Sequence, residues 1–248
     1  MNTGTAPTQF EPIADLKEAH RFLREAAQLN AATSVWSKAQ VFVLESHLLK
    51  FSELSKTLDF FVPKSFNLGA FLTEVDSNGR DQCFASITLP RAALFLPLSF
   101  FSYEGQTVHF QTQDRLFRAA RRQDQRVQIP QGYSFRVEFN DPHFPENKVQ
   151  KKLLDVSTTG LSFQVDPEEL AYYTSGSELP SIRFNLNYAK IECSAEIRHT
   201  SMLPLGGVKK GGKVGVKFGK LKAEDRKVLK DYVAEQARKL FMNQLQKG

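Results

Sequence analysis

The sequence predicts a mainly β protein of two small domains, with one helix near its start and another at its end. A length of 248 residues suits two medium domains, each with its own core. Most apolar residues alternate in short runs, as in half-buried strands, while two segments repeat at helical spacing. The 41% hydrophobic content is that of a folded chain rather than a disordered one. We therefore expect two domains, residues 1–115 and residues 116–248.

The first domain is predicted to combine a leading helix with a β-rich body. Over residues 13–29, apolar side chains recur every three or four positions, opposite a charged face. Residues 40–111 change to short alternating runs, separated by turn signals such as Ser77-Asn78-Gly79. The polar, basic stretch at residues 113–126 has no sustained apolar face, and it is predicted to link the two domains.

The second domain is predicted to be an all-β barrel or sandwich closed by one helix. Five or more alternating runs follow the linker at the spacing of small antiparallel sheets. An apolar stripe at helical period, opposite lysines and arginines, predicts the helix over residues 223–246. The positions predicted to face the core are Tyr133, Phe135, Val137, Phe139, Leu161, Phe163, Val165, Ile182, Phe184, Leu186, Ile191, Cys193, Ala195, Ile197, Val214, Val216 and Phe218.

Charge and cysteine content limit the function classes. The net charge of +6 and the pI of about 9.2 favour an anionic partner, whether phosphate, nucleic acid or an acidic protein. Cys83 and Cys193 stand far apart, so we expect neither a disulfide framework nor a zinc site. The longest apolar run is too short to span a membrane, and the first residues do not resemble a signal peptide. These features predict a cytoplasmic protein without membrane insertion.

Catalytic signatures are weak. The glycines and lysines of residues 207–213 have the spacing of a phosphate-binding loop. However, Val214 stands where a magnesium-binding Ser or Thr is needed, and a strand rather than a helix follows. The five histidines are scattered without paired spacing. We therefore predict no enzyme activity, no catalytic residue, no metal and no cofactor.

Two short motifs have the chemistry to bind a guanine nucleotide. Arg122 and Arg126 form R-x-x-x-R before a strand, with Arg121 directly ahead, and guanidinium groups grip phosphate or guanine edges and stack on purines. Asp155, Ser157 and Gly160 form D-x-S-x-x-G between two alternating runs. There a carboxylate accepts from guanine N1 and N2, a hydroxyl binds base or phosphate, and glycine permits a tight turn. Either motif alone is also what an ordinary basic linker or strand connection contains.

Together, in this order and on one predicted barrel, the two motifs resemble the PilZ domain family. The resemblance covers residues 116–245. It implies a six-stranded antiparallel barrel that binds cyclic di-GMP, with Arg122 and Arg126 gripping phosphate and guanine. Asp155, Ser157 and Gly160 would line the base pocket, and Arg121 is an extra arginine that favours two ligand molecules over one.

The first half resembles, in layout, the YcgR-type domain that precedes PilZ in flagellar-brake proteins. That resemblance implies a split-barrel-like first domain, a ligand-driven reorientation of the two domains, and a protein partner such as a flagellar motor component. Two alternatives stay open, a PilZ-type interaction module without ligand and a basic β-barrel that binds nucleic acid. One or two ligand molecules per chain fit these motifs, and the residues themselves select neither a particular downstream partner nor an oligomeric state.

Overall fold

The computed structural model describes residues 10–119, 126–129, 135–186, 189–204 and 210–247. The chain divides into two compact units, Met1–Gln123 and Asp124–Gly248, and each has its own apolar core. Each unit contains a closed barrel of six antiparallel strands. The predicted fold class, mainly β with two small barrels and a helix near each end, is confirmed. The domain boundary after residue 115 stays a prediction.

The elements of the first unit are β1 (Phe10–Ile13), α1 (Leu16–Gln28), β2 (Ala32–Ser37), β3 (Val43–Ser52), β4 (Thr57–Phe61), α2 (Leu68–Asn78), β5 (Cys83–Leu89), β6 (Ala92–Glu104), β7 (Thr107–Thr112) and β8 (Leu116–Ala119). Its barrel closes in the order β6-β5-β2-β3-β4-β7, and β7 pairs again with β6. Outside this ring, β8 pairs with β6 and β1 pairs with β8.

Helix α1 forms where the apolar periodicity predicted it. The Asp15 side chain caps its first turn by accepting from the Lys17 backbone N–H at 2.9 Å. Its buried face consists of Ala19, Leu23 and Ala26, which join the core of the first barrel. The helix forms as predicted, but its buried face is not the predicted stripe of Ile13, Leu16, His20, Leu23 and Ala27, of which Leu23 is buried and Leu16 is exposed.

Helix α2 corrects the predicted β-rich body. The residues interpreted as a Ser77-Asn78-Gly79 turn are the end of this helix, where Gly79 adopts φ 93° as the C-cap residue. Glu74, on the buried face of α2, accepts from the Ser37 hydroxyl and from the Phe42 backbone N–H at 2.9 Å. A buried carboxylate thus ties the helix to the chain after β2.

Strand β8 corrects the predicted linker, because it lies inside residues 113–126. Leu116 and Phe117 are both buried, and they pair with Ile13 and Pro12 of β1. A strand of four residues with two consecutive buried side chains shows no alternation of apolar and polar residues. The surrounding arginines therefore made the segment resemble a polar linker.

The elements of the second unit are β9 (Val127–Gln128), β10 (Arg136–Asn140), β11 (Lys148–Val156), β12 (Gly160–Val165), a 3₁₀ turn (Pro167–Tyr172), β13 (Glu178–Leu186), β14 (Ala189–Pro204), β15 (Lys210–Phe218) and α3 (Ala223–Lys247). Its barrel closes in the order β10-β13-β14-β15-β12-β11, because β11 pairs again with β10. Strand β9 pairs with the last two residues of β11, Asp155 and Val156.

The predicted inward positions form the core of this barrel. All of them from Val137 to Phe218 are buried, Phe135 is half-buried, and Tyr133 lies outside the described residues. Helix α3 contributes Leu229, Tyr232 and Val233 to the same core. Since side chains alternate along a strand, the residues between the buried ones stand on the outer wall, where a ligand has access.

Candidate ligand-binding site

The D-x-S-x-x-G segment is the turn between β11 and β12, and it is closed by the hydroxyl of Ser157. Ser157 Oγ accepts from the Gly160 N–H at 3.1 Å and from the Thr159 N–H at 3.3 Å, and it donates to the Gly160 carbonyl at 3.1 Å. A hydroxyl has one donor and two acceptor positions, so these contacts use all three. Ser157 is 1% exposed. Its side chain therefore shapes the turn.

Gly160 is required by the close approach of the next strand. A Cβ atom at this position would lie 2.2 Å from the carbonyl oxygen of Val216 and 3.2 Å from its carbonyl carbon. Both atoms are backbone, which cannot rotate away as a side chain can. The glycine of the motif thus lets β12 and β15 pair closely beside the turn.

Asp155, at the end of β11, is a buried carboxylate between two cations. Its side chain is 9% exposed. Lys213 Nζ lies 2.5 Å from Oδ2, and Arg126 Nη1 lies 3.8 Å from Oδ1. No hydrogen bond reaches Oδ1 from any residue that the structure describes. This oxygen therefore lacks a donor among the described residues. A buried charge without its full set of hydrogen bonds is costly, so Oδ1 is well suited to accept a hydrogen bond from a ligand.

Of the three arginines predicted to bind ligand, the structure brings Arg126 to the turn. It directly precedes β9, and β9 pairs with β11 through Gln128 opposite Asp155. Arg121 and Arg122 lie outside the described residues. The described part of the site therefore contains one arginine, the acidic turn and the neighbouring strands.

Lys213 is a site residue that the sequence reasoning missed. It stands on β15, 58 positions from Asp155, and its side chain is 21% exposed. The only sequence signal was its place in the glycine- and lysine-rich hairpin that resembles a phosphate-binding loop. The pairing of β12 between β11 and β15 brings it to the turn.

A cleft of about 370 Å³ lies elsewhere on this barrel, beside Arg136, Arg183 and Lys190. Arg183 is already neutralised, with Glu192 Oε1 at 2.9 Å and Glu138 Oε1 at 3.9 Å. The hydrogen bond from Arg183 also lowers the pKa of Glu192, while the same contact raises the pKa of Arg183. This internal pairing makes the cleft a weaker anion site than the turn.

The described residues contain no group of three or more His, Cys, Asp or Glu side chains placed to hold a metal ion. Among the same residues, none of the helices combines the length and apolar character that a membrane span requires.

The second unit is an antiparallel six-stranded barrel with a polar cluster on its outer wall, where the strands position the turn between β11 and β12. Residues 120–235 match the PilZ domain family. Residues 120–235 are therefore a PilZ domain, as the two motifs predicted, and a β-barrel unit precedes it along the chain.

Three solved structures match 85% or more of the chain, each at low sequence identity. The K. pneumonia MrkH–c-di-GMP complex has 10% identity and a TM-score of 0.43, covering 96% of this chain and 100% of that one. Escherichia coli YcgR with c-di-GMP has 12% identity and a TM-score of 0.41, covering 99% and 100%. The Bacillus subtilis inhibitor of motility MotI/DgrA has 12% identity and a TM-score of 0.40, covering 85% and 97%. No curated protein matches the chain.

Proposed function

We propose that this protein is a cyclic di-GMP receptor without catalytic activity, and that the ligand binds at the turn between β11 and β12. The observation that carries the proposal is the buried Asp155 carboxylate of the PilZ domain, which has an acceptor oxygen without a hydrogen bond from the described residues. A guanine presents two neighbouring N–H donors to such an oxygen. MrkH and YcgR, which are similar in layout, have been solved with c-di-GMP.

Each site residue has a role in this proposal. Asp155 accepts from the guanine, while Ser157 and Gly160 maintain the turn that presents it. Arg126, together with Arg121 and Arg122, binds phosphate and stacks on the bases, because guanidinium groups serve both purposes. Most of the net positive charge lies in residues 124–248, which favours attraction of a dianionic ligand.

The proposal extends to signalling. Arginines ordered by ligand lie where the two units join in sequence, so the ligand would favour one arrangement of the units over others. That change would expose or hide a surface for a protein partner, such as a flagellar motor component, in the bacterial cytoplasm. One or two ligand molecules per chain are compatible with this role.

Isothermal titration of the purified chain with cyclic di-GMP tests the proposal, with GTP and cyclic di-AMP as competitors. We expect selective binding, and we expect Arg126→Ala to weaken it at least tenfold while the chain still folds, with a lower melting temperature because Asp155 loses one of its two cations. Arg183→Ala is the matched control, since β13 stands opposite β12 in the barrel. Absence of binding would favour an interaction module without ligand. Unselective binding that falls steeply with salt would favour nucleic acid.

A further inference from the structure

Ser162 is a buried hydroxyl beside the site that lies outside the D-x-S-x-x-G motif. It stands on β12 between Leu161 and Phe163, which both point into the core, so its side chain belongs to the outer wall. Ser162 is 0% exposed, and its Oγ has no hydrogen-bond partner among the described residues. A buried polar group without a partner costs free energy, so it is uncommon in a folded protein.

The same wall holds a second unpartnered atom next to the first. Ser162 pairs directly with Asp155 across the β11–β12 ladder, and Asp155 Oδ1 is the carboxylate oxygen that receives no hydrogen bond from the part of the chain that the structure describes. On its other side, Ser162 pairs with Gly215 of β15. The His199 ring lies over Gly215, with Cε1 2.1 Å from where a Cβ would stand. The two unpartnered atoms thus belong to residues that are direct partners on neighbouring strands.

We infer that Ser162 is a base-recognition residue, and that it reads the guanine together with Asp155. The inference rests on the proposed cyclic di-GMP function and adds a residue to that site. Asp155 Oδ1 accepts from the guanine N–H donors, and the Ser162 hydroxyl bonds the adjoining polar atom of the same edge. The serine of the motif has no capacity left for this task, because Ser157 spends its three hydrogen-bonding positions inside the turn.

Entry of the base requires a neighbouring side chain to move. Lys213 is best placed to do so, because its ammonium ends on Oδ2 of Asp155 and its flexible stem lets it reach a nearby phosphate instead. Adenine lacks the two adjacent donors that the carboxylate requires. The pair Asp155 and Ser162 therefore selects guanine over adenine.

The test compares Ser162→Ala with wild type in two measurements on the full chain, ligand-free thermal unfolding and calorimetric titration with cyclic di-GMP. Removing an unpartnered buried hydroxyl leaves no orphaned partner, so the melting temperature should stay the same or rise. The affinity for cyclic di-GMP should fall about tenfold, because the complex loses one hydrogen bond. Ser181→Ala is the matched control, since it removes a hydroxyl bonded to Glu192 on the opposite side of the barrel.

The outcomes separate this inference from the proposed function. A weaker Ser162→Ala complex at undiminished stability, with Ser181→Ala like wild type, supports the inference. Wild-type affinity in Ser162→Ala overturns it and leaves the receptor function standing. A lower melting temperature, or failure to fold, also overturns it, because the hydroxyl then has a structural role. If wild type itself binds no cyclic di-GMP, the proposed function fails and the inference fails with it.

Discussion

Substituting Gly160 by alanine should destabilise the PilZ domain through a backbone collision. The added Cβ would lie 2.2 Å from the carbonyl oxygen of Val216, about 1 Å inside ordinary contact, on the strand pair that joins β12 to β15. Relief requires the two strands to separate at the Gly160–Lys217 pair. Overpacking of this kind costs about 1–3 kcal/mol. For a unit of this size that corresponds to roughly 3–15 °C in melting temperature.

Differential scanning calorimetry of the ligand-free protein measures this shift. Gly69→Ala, in the first turn of α2, is the matched control, because its nearest non-neighbouring atom would be the Asn67 side-chain oxygen at 3.8 Å. There alanine should be neutral or stabilising by up to about 1 kcal/mol. If Gly160→Ala melted like wild type, β12 and β15 would not approach as described, and the account of the turn would be refuted.

Three further predictions concern particular side chains. Ser157→Ala should lower the free energy of unfolding by about 1–3 kcal/mol, seen as a lower urea midpoint, because two turn N–H groups lose their acceptor; an unmoved midpoint would contradict the closed turn. Glu74→Ala should lower the free energy of unfolding of the first unit by roughly 3 kcal/mol, because the Ser37 hydroxyl and the Phe42 N–H lose their acceptor. The fluorescence of Trp36 monitors this unfolding, and an unchanged transition would show that the two donors find other acceptors. Burial raises the pKa of Cys83 to about 12 and of Cys193 to about 11. Both thiols should therefore resist iodoacetamide at pH 8 until urea unfolds the chain, and rapid native labelling would contradict their burial.

The alternating strands of the second barrel and both outer helices were predictable, because each buries one face at a fixed period. Helix α2 was not, since its single buried stripe ends in a Ser-Asn-Gly sequence that equally suits a turn. Strand β8 escaped because Leu116 and Phe117 are buried consecutively. In both cases tertiary contacts overrode a weak local pattern.

The site residues also differ in whether the sequence predicted them. The turn residues are local, so their spacing predicted where Asp155 would stand. Lys213 reaches that carboxylate from 58 positions away, and Ser162 faces it only through strand register. Register depends on which strands pair around the barrel, and a single sequence does not state that directly. Residue types were therefore predictable at the turn, but their neighbours across the sheet were not.

The groups around Asp155 stabilise its buried charge and also leave hydrogen-bonding capacity for a ligand. Lys213 and Arg126 offset the cost of burying the carboxylate, while Oδ1 and the Ser162 hydroxyl keep hydrogen-bonding capacity that the described residues leave unused. On the proposed function, an uncharged base edge satisfies that capacity, and the displaced cations face the ligand's phosphates. Selectivity then resides in Asp155 and Ser162 on the strands, and charge attraction in the arginines and Lys213.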